Sequence, residues 1–258
     1  MTMFLDRRRL LAGLALGGTS LALGGCDRLA GSDSVQRVLR MAERLTMGAQ
    51  RTLLSDKALA REFTEADLSP VFKANGTEMP DSEAYASLME TDFQDYRLTI
   101  DGLVAKPLTL SLAELKALPS RAQITRHDCV EGWSAIGKWT GVPLGLLLQT
   151  AGLSPRARYA LFHCADEYEQ AADGNGQYYE SIDLIDAFHP QTLLAYSLNG
   201  EDLPVAHGAP LRLRVERQLG YKQAKYVMRI ELVESFAGFG RGRGGFWPDR
   251  GYEWYAGI

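Results

Sequence analysis

The sequence is poor in the residues that build stapled or metal-clasped proteins. Three cysteines in 258 residues cannot form a disulfide scaffold. Four histidines, at 127, 163, 189 and 207, lack the short spacing that puts two imidazoles on one face, so a zinc site is not indicated. There is no Cys-x-x-Cys-His motif for an attached haem. Basic charge is not in excess. Lys and Arg number 28 against 32 Asp and Glu, a net charge of −4, so no nucleic-acid partner is expected. No internal repeat or low-complexity tract suggests a solenoid. What remains is a chain of ordinary composition, long enough for one large core or two small ones.

The N-terminus has a character of its own. Arg7-Arg8-Arg9-Leu10-Leu11 precedes a Gly- and Ala-rich apolar run that ends Leu23-Gly24-Gly25-Cys26. A charged start, a short apolar stretch and small residues make an export signal, too short for an ordinary spanning helix. The arginine pair followed by Leu-Leu resembles a twin-arginine signal, read by the machinery that exports folded proteins. Leu23-Gly24-Gly25-Cys26 resembles a lipobox, which implies lipidation of Cys26; Asp27 after it implies retention at the inner membrane. The expected organisation is a signal over residues 1–25, a lipidated linker and amphipathic helix over 26–66, and one folded periplasmic domain over 67–258. With Cys26 modified, Cys129 and Cys164 remain, and an oxidising compartment invites a disulfide between them.

Val35, Val38, Leu39, Ala42, Leu45 and Ala49 recur at helical spacing, predicting a helix from Ser34, as N-cap, to about Ser55. Leu68 to Thr77 reads as an extended segment and a turn. Strands are expected over Tyr96–Val104, Leu108–Leu110, Gln123–Thr125 and Tyr159–Cys164. Ser111 and Glu114 make a capping box for a short helix stopped by Pro119. Pro143 to Ala151 reads as a helix capped by Gly152, and Ser181 to Phe188 as a helical turn. Short strands and helices without regular alternation argue an α+β, β-rich mixed fold.

One stretch stands apart: Arg126-His127-Asp128-Cys129-Val130-Glu131-Gly132-Trp133-Ser134, then Lys138-Trp139-Thr140-Gly141-Val142-Pro143. A structural cysteine normally sits in an apolar run. Cys129 is surrounded by polar residues, and Arg126 and His127 are placed to favour a thiolate, the form that binds metals and electrophiles. Trp133 and Trp139 read as packing residues. A second block runs Leu193 to Leu213 and on through Gly220-Tyr221-Lys222-Gln223-Ala224-Lys225. It reads as a strand, a hairpin turn, a Gly208-Ala209-Pro210 corner and a second strand carrying Arg212. An arginine held beside a turn, with two lysines on a loop, suits a phosphate.

Cys-Val-Glu-Gly-Trp-Ser followed by Trp-Thr-Gly-Val-Pro closely resembles the metal-ligand segment of the sulfite-oxidase-fold molybdopterin oxidoreductases, in their bacterial periplasmic branch. His207-Gly-Ala-Pro-Leu-Arg212 and Gly220-Tyr-Lys-Gln-Ala-Lys225 resemble the second half of the same signature. The ending, Gly245-Phe246-Trp247 to Gly251-Tyr252, matches as well. The resemblance implies Cys129 as the molybdenum ligand and a molybdopterin cofactor. By the same likeness, His207 and Arg212 would bind the pterin or its phosphate, and Gln223, Ala224 and Lys225 would cradle it. Asn75 falls where relatives touch the pterin, and Cys164 where relatives often have a Thr near it. Such a metal moves an oxygen atom with two electrons while the protein orients and tunes it; His127 or Asp128 could manage a proton.

An acid, Glu131, follows Cys129 where sulfite oxidases tend to have basic residues. That disfavours sulfite and implies the reductase branch, whose substrates are sulfoxides such as oxidised methionine residues, or N-oxides. The chain is too short for the immunoglobulin-like dimerisation domain of sulfite oxidases. Electrons would come from, or go to, a separate protein, a membrane haem or quinol-linked subunit or a soluble cytochrome. The rival reading is a non-catalytic lipoprotein in which Cys129 and Cys164 form a structural disulfide.

Overall fold

In a computed structural model, the protein is described over residues 32–168 and 176–258. The expected signal and Cys26 lie outside the described residues. The chain divides into two units, Met1–Thr52 and Leu53–Ile258.

The described part of the first unit is helix α1, Asp33–Leu53. It starts one residue before the expected cap. Ser32, not Ser34, takes the capping role: its Oγ accepts the Val35 N–H at 3.3 Å. The Ser34 hydroxyl instead accepts from the Arg37 guanidinium.

The second unit is built on two five-stranded sheets. One runs in the order β2-β1-β10-β5-β6: Leu108–Ser111, Arg97–Gly102, Val227–Val233, Tyr159–Glu167 and Gln177–Asp183. Within it only β1 and β10 are parallel. The other runs β3-β4-β7-β8, Arg121–Asp128, Ser134–Pro143, Leu193–Leu198 and Glu201–Asp202, with β9, Arg212–Arg214, paired to β7. The mixture confirms the α+β expectation.

Alternation along the strands sets the core. In β1, Leu98 and Ile100 point inward and are fully buried, while their neighbours are not. They join Phe162 of β5, Ile230 and Leu232 of β10, and Leu194 of β7 in one cluster. Helix α4, Leu144–Ala151, adds Leu144, Leu147 and Leu148 to it. Glu83–Glu90 forms α2, not foreseen in the sequence, with Ser82 as its cap. Leu112–Ala117 is α3, held by the expected reciprocal box: the Glu114 N–H to Ser111 Oγ at 3.2 Å and the Ser111 N–H to Glu114 Oε2 at 2.8 Å. Leu184–Ala187 is α5.

The largest departure lies in the second sheet. Ser134–Pro143, read above as a motif, is the longest strand of the fold, and β6 was not anticipated. Glycines and tryptophans hid the alternation of β4. Its Gly137 and Gly141 sit where neighbours come too close for a side chain; a Cβ on Gly141 would lie 2.2 Å from the Leu194 carbonyl.

Candidate active site

Strands β3 and β4 are joined by a tight turn at Cys129. The Cys129 N–H donates to the Trp133 carbonyl at 3.0 Å and the Gly132 N–H to the Cys129 carbonyl at 3.1 Å, with Gly132 at φ +84°. The turn puts the half-buried Cys129 at one wall of a solvent-open cleft. Asn75, Gly76 and Thr77 form a second wall, Asp166 at the end of β5 a third, and Arg212, Gly220, Gln223 and Lys225 a fourth. Tyr178, Tyr221, Trp247 and Tyr252 supply aromatic faces. Six segments separated in the chain thus converge on the cysteine.

Strand geometry corrects two of the expected catalytic residues. β3 runs through Asp128, so successive side chains take opposite faces. His127 falls on the core face and is fully buried. Arg214 donates to its Nδ1 at 3.0 Å, and the rings of Phe72 and Trp133 lie 5.7 and 5.6 Å away. The same nitrogen lies 3.4 Å from Gln223 Oε1, so Arg214 and Gln223 flank one edge of the ring. Burial first, then Arg212 and Arg214, holds it well below the usual imidazole range, so it is neutral at physiological pH. It is a positioning residue beneath the turn and does not line the cleft. Asp128 falls on the other face, where it accepts from Ser134 Oγ at 2.6 Å and from Arg126 Nε at 2.9 Å. It clasps the hairpin and is turned away from the cleft.

The same pairing overturns the expectation that Arg126 and His127 activate Cys129. Arg126 is spent on Asp128 and His127 is neutral. Burial, the dominant effect, raises the Cys129 thiol above its ordinary value, and the Glu131 carboxylate adds to this. A metal bound there would have to displace the proton itself. Both cysteines are free thiols, and Cys164 lies buried in β5, off the cleft lining. The disulfide of the rival reading is not formed.

The expected cofactor residues separate into two groups. Asn75, Arg212, Gln223 and Lys225 line the cleft; Cys164, His207 and Ala224 stand behind or beside it. Arg212 is buried, donates from one terminal nitrogen to the His207 carbonyl at 3.1 Å, and lies 5.3 Å over the Trp139 ring. Burial and Arg214 bring it down to about 9, so it remains a cation at neutral pH. His207 sits in the helical turn Val205–His207, and burial with Arg212 lowers it to about 4. Ala224 gives its carbonyl to Leu213. The Lys225 ammonium is a clamp, donating to the carbonyls of Asn75 at 2.7 Å, Ala206 at 3.0 Å, and Thr77. Lys222, the second lysine of the expected phosphate loop, turns inward: it is fully buried, pairs with Glu180, and reaches Trp254 at 5.2 Å. It anchors the loop and is not available to a phosphate.

Asp166 was missed in the sequence. It is nearly completely buried yet lines the cleft, and burial raises it to about 6 against pulls from Thr77 and Lys225. Its signal was an acid that follows a mostly apolar stretch, Tyr159 to Ala165. Gly220 was also missed as an individual: a Cβ there would lie 2.4 Å from the His127 ring, so only glycine lets this loop pass the base of the cysteine turn.

Four buried polar atoms at or beside the cleft have no partner: Asn75 Oδ1, Asp166 Oδ1, His207 Nδ1 and Arg212 Nε. Buried groups are ordinarily paired, and leaving one unpaired costs on the order of 1–3 kcal/mol. Concentrated at one place, they define a site for a polar, ring-bearing anionic ligand. The acceptors suit N–H groups, Arg212 suits a phosphate, and the aromatic walls suit a flat ring.

A protein with this fold and site is a cofactor-dependent redox enzyme, and comparison with known proteins agrees. Residues 85–237 match the family model described as the oxidoreductase molybdopterin binding domain. The chain belongs to this family of molybdopterin-dependent oxidoreductases, and its cofactor is molybdopterin with molybdenum. A protein of Azospira oryzae, provisionally named protein-methionine-sulfoxide reductase subunit YedZ1, is 38% identical over 95% of this chain and 84% of its own length. The protein-methionine-sulfoxide reductase catalytic subunit MsrP of Xanthomonas axonopodis pv. citri is 33% identical over 90% of this chain and 71% of its own. Among solved structures, the sulfane dehydrogenase SoxCD of Paracoccus pantotrophus is 29% identical over 55% of this chain and 39% of its own, with a TM-score of 0.48.

Proposed function

We propose that this enzyme is an exported reductase that removes an oxygen atom from sulfoxides, oxidised methionine residues foremost, with electrons from a separate membrane haem or quinol-linked subunit or a cytochrome. The observation that carries the reading is the convergence of Cys129 with three unpaired buried atoms, Asn75 Oδ1, Asp166 Oδ1 and Arg212 Nε, at one cleft. Arg212 would hold the phosphate and Asp166 and Asn75 the pterin N–H groups, with Cys129 as the protein's ligand to the metal. When bound, the molybdenum supplies two-electron oxygen-atom exchange, chemistry that no side chain here can perform alone.

The chain's own residues orient and select. Lys225 ties the Asn75–Thr77 wall to the Lys225 loop, and the Arg214–Glu216 pair holds His127 under the turn. Val130 and Tyr252 are exposed at the mouth, and Glu131 lies beside Cys129. A carboxylate at the entrance repels anions such as sulfite, whereas an apolar mouth admits a neutral thioether-like sulfoxide. The reductase names of the relatives support the same direction. The export signal and lipobox support placement in the periplasm, anchored at Cys26 to the inner membrane.

The test is turnover of the purified enzyme, prepared from a host that makes the cofactor, with a reduced dye as electron source. Methionine-sulfoxide peptides should be reduced well above N-oxides, and sulfite should not be oxidised with an oxidised dye. Sulfite turnover exceeding that of every sulfoxide would overturn the substrate reading. Cys129→Ser should lose at least a thousandfold in activity with the fold retained by circular dichroism; unimpaired turnover would remove Cys129 from the metal.

A further inference from the structure

Helix α1 leaves its apolar side uncovered. At 100° per residue, Val38, Leu39, Ala42, Leu45, Ala49 and Leu53 fall in a sector of about 120°. Val38, Leu45 and Leu53 are 62%, 70% and 82% exposed. Arg37, Arg40 and Arg44 occupy the opposite side and are also exposed. The helix carries four arginines against two acids, Asp33 and Glu43, in a protein whose net charge is −4. No helix among the described residues is long and apolar enough to cross a membrane.

A strongly sided helix of low net hydrophobicity, with arginines on its polar face, has the physics of a helix that lies in the headgroup region. We propose that α1 is a membrane-surface helix that binds an anionic phospholipid bilayer. Val38, Leu45 and Leu53 would enter the acyl boundary, and the arginines would reach headgroup phosphates by their long stems. A second copy of the chain fits less well. The narrow seam Val35, Val38, Ala42, Leu45 and Ala49 has heptad spacing, but the flanking positions are Ser34, Leu39, Met41, Thr46, Gly48 and Leu53. These carry no charge to fix a register, and a two-helix coil would leave them exposed. A bilayer covers the whole sector. The helix follows the expected lipidation site within ten residues, so it would lay the domain down close to the membrane surface.

This inference does not depend on the substrate. It rests on the export reading only in that the helix must meet a bilayer. Hydrogen exchange of the full lipid-anchored chain, inserted in vesicles, tests it with the anchor held constant. In phosphatidylglycerol vesicles the amides of 33–53 should exchange at least tenfold more slowly than in detergent-free monomer, and in phosphatidylcholine vesicles only a few-fold more slowly. Val38→Asp with Leu45→Asp should abolish the protection and leave exchange in the β strands unchanged. Arg40→Glu with Arg44→Glu should abolish only the difference between the two vesicle types. Anchored protein with an unprotected helix would overturn the proposal and leave the anchor standing. Protection that rises with protein concentration in the absence of vesicles would overturn it in favour of self-association.

Discussion

Arg212 shows how one side chain joins stability to cofactor capture. It is buried, its carbonyl contact with His207 uses one nitrogen, and its Nε is unpaired. A charge-assisted contact of this kind contributes roughly 1.5–3 kcal/mol, about a ten- to hundredfold change in affinity. Arg212→Ala should therefore yield folded protein depleted of molybdenum and pterin, measured per chain. Arg212→Lys should recover only part, because an ammonium lacks the paired geometry. Full loading of the alanine variant would take Arg212 out of the site. Asp166 is the complementary case. In the folded chain its carboxyl rises from 3.8 to about 6. Between those values the unfolded chain ionises while the folded one stays protonated, so the fold loses stability as pH rises from about 4 to 6. The loss is roughly 2–3 kcal/mol, from about two units at 1.36 kcal/mol each. Cofactor-free Asp166→Asn should match the parent near pH 4 and exceed it by that order at pH 7 in denaturant titrations. It should also bind the cofactor more weakly, a site residue held at the expense of the fold.

Among the elements, the β3–β4 hairpin and the Gly220–Lys225 loop act as one device. The hairpin lifts Cys129 into the cleft while β3 buries His127 below it, and Gly220 passes within reach of that ring. Gly220→Ala should cost about 1–3 kcal/mol by overpacking, lower the melting temperature and reduce metal content. His127→Ala combined with it should be less damaging than the two changes summed, because the clash is removed. Strictly additive effects would show that the two residues do not meet. The loop's other end is fixed by the buried Lys222–Glu180 pair, so the lysine that looked like a phosphate ligand in the sequence is an anchor for the element that carries Gln223 and Lys225.

At the level of the molecule, the second unit holds the cleft, and the proposed anchor and helix α1 would serve placement. If Cys26 carries a lipid and α1 lies on the bilayer, Cys26→Ala should keep full dye-linked activity and move the enzyme from a tightly held to a salt-extractable membrane fraction. Screening weakens the arginine contribution at high ionic strength, while a lipid anchor is indifferent to it. Membrane association of this variant that resists high salt would assign retention to the N-terminal apolar run or to a partner subunit.

What the sequence determined by itself was local or covalent in origin. The capping box at Ser111 and Glu114, the sided pattern of α1 and the alternation of β1 are short-range consequences of side-chain period, and all three are found. The cysteine and arginine motifs were legible because their residue types are out of place in an apolar core. Tertiary structure decided the rest. Whether His127 and Asp128 face a cleft depended on how far β3 extends, and the period of two sends one inward and the other away. Whether Lys222 met a phosphate depended on Glu180, 42 residues earlier, lying within reach in the fold. Asp166 became part of the site only because β5 ends beside Asn75 and Arg212, contacts between residues far apart in the chain that no local pattern encodes.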